Sequence, residues 1–235
     1  MPSDSLSLVA PVQRETLNDR VYRELRKLII SGGFAPGVAF TLRTLSAALG
    51  TSEMPVRDAI RRLVTEGGLE MRPNRKVAVP LIGLAQYEEI LRIRVALEGE
   101  AAEIAAEAML PAELAALDEI QHGLEGLTTA TKAALAAANQ RFHYVIYGAA
   151  RLPLLLGMIE TLWLRSGPTL HHLPIAVSQA EIIEQHRRVI EALRSSDPAA
   201  ARRALVADLN AGGERILAEL RRRQPVTELR TVDVG

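Results

Sequence analysis

"TSEMPVRDAIRRL", Thr51 to Leu63, carries the reading that organises the rest of the chain. Ser52 is a helix N-cap type of residue, and Pro55 falls in the first turn, where its missing N–H costs nothing. Val56, Ala59, Ile60 and Leu63 repeat at helical spacing and form one apolar face. Arg57, Asp58, Arg61 and Arg62 are therefore turned outward. A solvated face explains such residues, and so does a helix that meets a phosphate backbone.

Upstream, "LRTLSAALG" predicts a short helix from about Leu42 to Leu49, with Leu42, Leu45, Ala48 and Leu49 inward. Gly50 supplies its stop, since glycine accepts the left-handed conformation that ends many helices. Only two residues separate this helix from the cap of the next. A tight turn between two helices predicts a helix-turn-helix, whose second helix enters the major groove of DNA. A longer helix precedes it, starting after Thr16, with Leu17, Val21, Leu25 and Ile29 as its stripe. Gly32, Gly33, Pro36 and Gly37 end it.

Downstream the period changes. In "GGLEMRPNRKVAVP", Gly67 to Pro80, Leu69, Met71, Val77 and Val79 alternate around a polar tip, a β-hairpin pattern. The tip, Arg72 to Lys76, is basic. Helix-turn-helix followed by a basic hairpin is a winged helix, and the order of basic recognition helix, turn and wing predicts DNA binding. Charge agrees. Residues 1–80 hold 12 Lys/Arg against 8 Asp/Glu, an excess of four, although the 28 basic and 28 acidic residues of the whole chain balance.

No β pattern follows Pro80. Leu81 to Ala85 read as a linker. Amphipathic helices are predicted at 86–109, 111–127, 131–149, 152–165, 178–195 and 198–223, an antiparallel six-helix bundle. Breaks are placed at Gly126, Arg151–Pro153, Gly167–Pro168, Pro174 and Pro198. The predicted fold is thus mainly α: a winged helix over residues 12–80, then an all-helical domain over 86–223.

Composition sets bounds on function. The 235 residues contain no cysteine, which excludes disulfides and Cys-ligated zinc. Apolar residues make up 48% and aromatics 3%, a core of Leu, Ala, Ile and Val that suits helices. The N-terminus lacks a signal-peptide pattern, and no apolar run reaches the roughly 18 residues of a membrane span. A cytoplasmic protein without membrane contact is the expectation.

The stretch "PGVAFTLRTLSAALGTSEMPVRDAIRRLVTEGGLEMRPNRKVAV" resembles the winged-helix domain of the GntR family of bacterial transcription regulators. The matching marks include Pro36-Gly37, Leu49-Gly50, Ser52, Pro55-Val56-Arg57, Gly67 and Asn74-Arg75. The resemblance implies that Arg43 and Arg57 contact operator DNA and that Ser52 contacts phosphate. Arginine can bond both acceptors of a guanine edge, the physical basis of that readout. The outward face of the helix and the basic wing tip, read from the residues themselves, add Arg61, Arg72, Asn74, Arg75 and Lys76 as candidates for DNA contact. Three positions depart from the pattern: Glu53, Met54 and Lys76. The first removes positive charge near phosphate or accepts from a cytosine amino group, so the operator sequence is expected to differ from that of typical relatives.

The helical half resembles the FCD ligand-sensing domain of the FadR-like branch of that family. The signals are "RIRVALEGEAAEIAA", with Arg94, Leu97 and Glu98, "NQRFHYVIYGAARLPLL", and "EQHRRVIEALRSSDPAAARRALVAD". The resemblance implies an effector cavity involving Arg94, Glu98, His143 and His186. Many FCD domains bind a divalent metal through Asp and His at i, i+4 and two further His. Here those positions hold Asn139, His143, His186 and Asp208, which leaves two imidazoles and one carboxylate. Such a set suits Zn, Ni, Fe or Mn; a metal-free pocket that holds the effector directly is the other reading. Arg94 would meet a carboxylate ligand, or else pair with Glu98 one turn on. His122 reads as a surface residue, and His171 and His172 as part of a proline-bounded connection.

The expected function is a homodimeric repressor on an inverted-repeat operator, released by a small acidic metabolite. The alternative is a metal-dependent enzyme built on His143, His186 and Asp208, for which no further general base or nucleophile is placed by any motif.

Overall fold

The structure, a computed structural model, describes residues 16–127, 131–174 and 178–223. Residues 12–15 of the expected first domain lie outside the described residues. Helix α1 (Leu17–Ile30) begins at a capping box in which Thr16 accepts from the Asp19 amide while the Asp19 carboxylate accepts from the Thr16 amide. Val21, Leu25 and Ile29 are buried as expected, but Leu17 is exposed, because the first turn overhangs the core it leads into.

Strand β1 (Ala39–Thr41) was not legible in the sequence. It is three residues long, and its last residue, Thr41, also caps helix α2 (Leu42–Ala48), so its sequence reads as a helix start. The turn to α3 (Glu53–Thr65) passes through Gly50 at φ +62°, a conformation that L side chains rarely adopt. Leu45 is buried in α2, but Ala48 is exposed; Ser46 takes the inward place, its hydroxyl donating to the Leu42 carbonyl at 2.8 Å. Helix α3 buries Val56, Ala59, Ile60 and Leu63.

The wing consists of β2 (Glu70–Arg72), a 3-10 turn at Pro73–Arg75, and β3 (Lys76–Ala78). The antiparallel sheet has the order β1-β3-β2, with Thr41 and Arg72 both opposite Lys76. Val77 is buried on the central strand, whereas Met71 on the outer strand is exposed, since no described residue covers that edge.

The bundle comprises α4 (Leu84–Ala108), α5 (Pro111–Glu125), α6 (Lys132–Ala149), α7 (Pro153–His172), α8 (Gln179–Arg194) and α9 (Pro198–Arg223). Six helices follow the wing among the described residues, as predicted, but α7 corrects the expected break at Gly167–Pro168. It runs through Pro168 to His172, so His171 and His172 are helical rather than part of a connection. Proline removes one backbone donor from the ladder, a cost of about 3 kcal/mol. Burial of Trp163, Leu164, Gly167, Pro168 and Thr169 outweighs it.

The reason for the glycine is geometric. A Cβ on Gly167 would stand 2.5 Å from the carbonyl oxygen of Ile30, so the end of α1 rests directly on the α7 backbone. Around that point Arg26 of α1 pairs with Glu160 at 2.8 Å, and Arg165 Nε donates to the Glu66 carbonyl at 3.0 Å. The winged helix and the bundle share one hydrophobic core, from Val21 and Ile60 through Leu164 to Leu205.

Candidate functional site

Two regions concentrate chemistry. The first is the outer surface of the winged helix. Ser52 is the N-cap of α3, yet its side chain makes no capping bond, so its hydroxyl is not spent on the helix. Ser52, Glu53, Met54 and Arg57 are all exposed at the helix start, and Arg43 is exposed on α2. Free N–H groups and the dipole favour phosphate at such a start. Arg57 lies 3.7 Å from Glu53 one turn back, with both side chains about half exposed (48% and 50%). The departure at Glu53 therefore puts a carboxylate beside the residue expected to read bases.

Arg61 is exposed and loosely placed against Asp58 at 4.0 Å. Arg62 belongs to another network. It packs over the Tyr22 ring at 3.6 Å and pairs with Glu66 at 3.2 Å, which joins α3 to α1. In the wing, Arg72 is exposed and pairs with Glu70 at 2.6 Å, while Arg75 (φ +58°) and Lys76 are exposed at the tip. The side chain of Asn74 lies outside what is described.

The second region is a cavity of about 270 Å³ between α4, α6, α7, α8 and α9. Arg94, Asn139, His143 and Asp208 line it, which brings together residues more than a hundred positions apart. His143 Nε2 lies 3.1 Å from Asp208 Oδ2, and its Nδ1 lies 3.0 Å from the Tyr147 hydroxyl. Tyr147 in turn donates to Glu98. His186 is fully buried behind this wall, stacked on Phe142 at 3.6 Å, with Nε2 3.1 Å from Asn139 Oδ1. Its Nδ1 is buried and has no hydrogen-bond partner among the described residues.

Burial pushes the His186 imidazole down to about 3, against the opposing pull of Asp208, so it is neutral at physiological pH. Asp208 is held below the usual carboxylate range: burial works against its charge, but the His143 hydrogen bond and the nearby Arg94 guanidinium are among the influences that prevail.

This cluster fits a divalent ion. The ligand atoms of His143, His186 and Asp208 lie within 4.8 Å of one another. Tetrahedral ligands at zinc-like bond lengths of about 2 Å stand roughly 3.3 Å apart, close to the His143–Asp208 separation. A neutral imidazole and an ionised carboxylate are the protonation states that metal ligation requires.

Arg94 is nearly sealed, 4% exposed, and is held by Glu98 through Nε at 2.6 Å and Nη2 at 3.3 Å. Its guanidinium stands 4.7 Å from the centre of the Trp163 ring. Glu98, expected in the effector site, is 0% exposed and is not on the cavity wall; it anchors Arg94 and Tyr147 from behind. Sequence reasoning missed Trp163, Lys132, Gln185 and Arg215 on the wall. Tyr147 was findable, since it follows His143 by four residues on one helix face. Lys132, Gln185 and Arg215 carry no local signal. His122 is exposed, and the Arg221–Arg223 run is taken up by Glu88, Glu214 and Glu219, an ion-paired helix end.

Comparison with known proteins follows the same division. Residues 17–79 match the model for bacterial regulatory proteins of the gntR family, and residues 89–211 match the FCD domain. The HTH-type transcriptional regulator McbR of Escherichia coli K12 is 35% identical over 197 residues, covering 81% of this chain and 88% of that protein. The structure of E. coli McbR/YncC superposes with a TM-score of 0.77 at 33% identity, over 88% of this chain and 99% of the other. The HTH-type transcriptional repressor RspR of E. coli K12 is 26% identical over 197 residues, 83% of this chain and 86% of that protein. No helix among the described residues is long and apolar enough to cross a membrane.

Proposed function

The chain belongs to the gntR family of bacterial transcription regulators, in the form that carries an FCD domain, and from that premise we propose that it is a homodimeric repressor released by a small carboxylate. The observation that carries the DNA half is the start of α3. Ser52 and Arg57 are exposed there, in a domain that also carries an exposed basic wing, and the Ser52 side chain makes no capping bond. Arg57 reads bases in the major groove, Arg43 and Ser52 hold the backbone, and Arg61, Arg72, Asn74, Arg75 and Lys76 add phosphate contacts. Glu53 and Met54 shift the preferred bases. The DNA unit spans residues 12–80 and the sensing unit 86–223. Two-fold pairing of the chain matches an inverted repeat in cytoplasmic DNA.

In the sensing unit, His143, His186 and Asp208, with the Asn139 carbonyl as a weaker fourth donor, would hold one divalent ion (Zn, Ni, Fe or Mn). Such an ion would supply a positive charge that attracts a ligand oxygen. Tyr147 would hold the second nitrogen of His143, leaving Nε2 for the ion, while Glu98 holds the Tyr147 hydroxyl and the Arg94 guanidinium. The cavity is thus built to hold an anionic group in one orientation. The metal-dependent enzyme is set aside, because the matched family and relatives are regulators rather than enzymes.

The test is selection of genomic DNA fragments by the purified chain at physiological salt, where nonspecific binding is suppressed. Fragments sharing a short inverted repeat are the expected result. Failure to enrich any fragment, with or without zinc, would overturn the regulator reading.

A further inference from the structure

One cation at the cavity stands apart. Lys132 is the first residue of α6 and lines the cavity wall. Its ammonium crosses to the far side and donates to the backbone carbonyl of Leu173, the residue that ends α7. The other charged groups on the wall are committed: Arg94 to Glu98, Arg215 to Glu181, and Asp208 to His143. Among the described residues no carboxylate pairs with Lys132. Burial lowers its pKa, and no neighbouring acid offsets that burial.

Leu173 is next to the joint between the two domains. His172 Nε2 lies 2.6 Å from the Gly32 carbonyl at the end of α1, and the His171 ring lies against Gly32 itself. Lys132 is near enough to depress the His171 imidazole, after burial and His172. The same ammonium therefore touches the cavity and braces the end of the helix on which the DNA-binding domain rests.

We propose that Lys132 is the anion anchor of the cavity, and that its transfer from the Leu173 carbonyl to an effector carboxylate releases the end of α7 from the DNA-binding domain. A bond from an ammonium to a carboxylate is stronger than one to a neutral carbonyl, so an entering carboxylate draws the side chain inward. This inference rests on the sensing role given above and assigns it a residue and a route.

Trp163 is the only tryptophan of the chain and lies on the cavity wall, so its emission reports occupancy. The full chain is titrated with acetate, succinate and citrate, with inorganic phosphate as the non-carboxylate anion. At least one carboxylate gives a saturable change. Lys132→Met weakens that binding about tenfold or more, the scale of one charged hydrogen bond, and Lys132→Arg largely restores it. Zinc binding is unchanged in both variants, which shows that the fold and the His/Asp cluster survive. Without any ligand, Lys132→Met also speeds amide exchange at Gly32 and at residues 169–173, as the carboxylate does in the unsubstituted chain.

Equal carboxylate affinity in Lys132→Met overturns the proposal. So does a Trp163 response to phosphate alone, or to none of these anions. Unaltered exchange at Gly32 overturns the route. If genomic selection still recovers an inverted repeat in those cases, the regulator reading stands and only the assignment of Lys132 falls.

Discussion

The chain uses the same pair of residue types, an Arg and a Glu one helical turn apart, in two settings. In the winged helix, Glu53 and Arg57 stand 3.7 Å apart and both are about half exposed. In the bundle, Arg94 and Glu98 are 2.6 Å apart and sealed. An exposed pair contributes about 0–1 kcal/mol and is easily exchanged for another partner. Removing one member of a buried pair strands a charge and costs about 3–5 kcal/mol. On the roles proposed above, Arg57 leaves its neighbour to meet DNA, which suits the first setting, and Arg94 stays fixed in the cavity wall, which suits the second. On that reading the two roles differ in how tightly a charge is held, not in which charge it is.

The comparison breaks most readily at Glu98. Glu98→Ala should lower unfolding free energy by about 3–5 kcal/mol, measured by denaturant titration, because it strands Arg94 and removes the acceptor of Tyr147. The double change Arg94→Met with Glu98→Leu should recover much of that loss; a double variant as unstable as the single one would mean that packing, not charge, matters there.

Arg57→Ala reverses the pattern. Stability should be nearly unchanged, while specific DNA binding weakens by about 1–3 kcal/mol and preference relaxes at one base pair per half-site. Equal weakening on all sequences would reassign Arg57 to phosphate. A smaller effect of opposite sign is expected for Glu53→Ala, which frees Arg57 and removes a negative charge near phosphate. Affinity should rise by less than about 1 kcal/mol, with a steeper salt dependence.

The smallest effect concerns pH. Burial, and then the charges of His172 and Lys132, hold the His171 imidazole below its ordinary 6.5. The unfolded chain then takes up the proton more readily, so the contribution is complete above about pH 6.5 and is lost as pH falls. Thermal unfolding of the protein and of His171→Gln should diverge at pH 7.5 and converge towards pH 5.5. Parallel curves would remove His171 from this role.

Local patterns made the winged helix legible. Caps, a two-residue turn and a change from helical to alternating period all lie within about fifteen residues of what they specify. The misses were tertiary. Strand β1 is three residues long and merges with a helix cap. Pro168 stays helical in a buried turn of α7, next to Gly167, on which the end of α1 rests. His143, His186 and Asp208 were placed only by resemblance, since nothing local brings residues from three helices together. Lys132 and Trp163 were invisible because a cavity wall is a property of the packed bundle. Glu98 shows the converse: it was expected in the effector site, but it is buried behind Arg94, off the cavity wall, and holds the Arg94 guanidinium and the Tyr147 hydroxyl.

Gly167 has a bearing on how such proteins can be recombined. The family models end at residue 79 and resume at 89, so the short connection between them looks like a natural cut. Yet the carbonyl of Ile30 occupies the space that any side chain at Gly167 would need. A foreign reading head grafted at that connection would therefore land on a seat shaped for this α1. Swapping specificities between regulators of this build calls for exchanging the outward face of α7 along with the head, so that the unit of exchange is a surface rather than a stretch of chain.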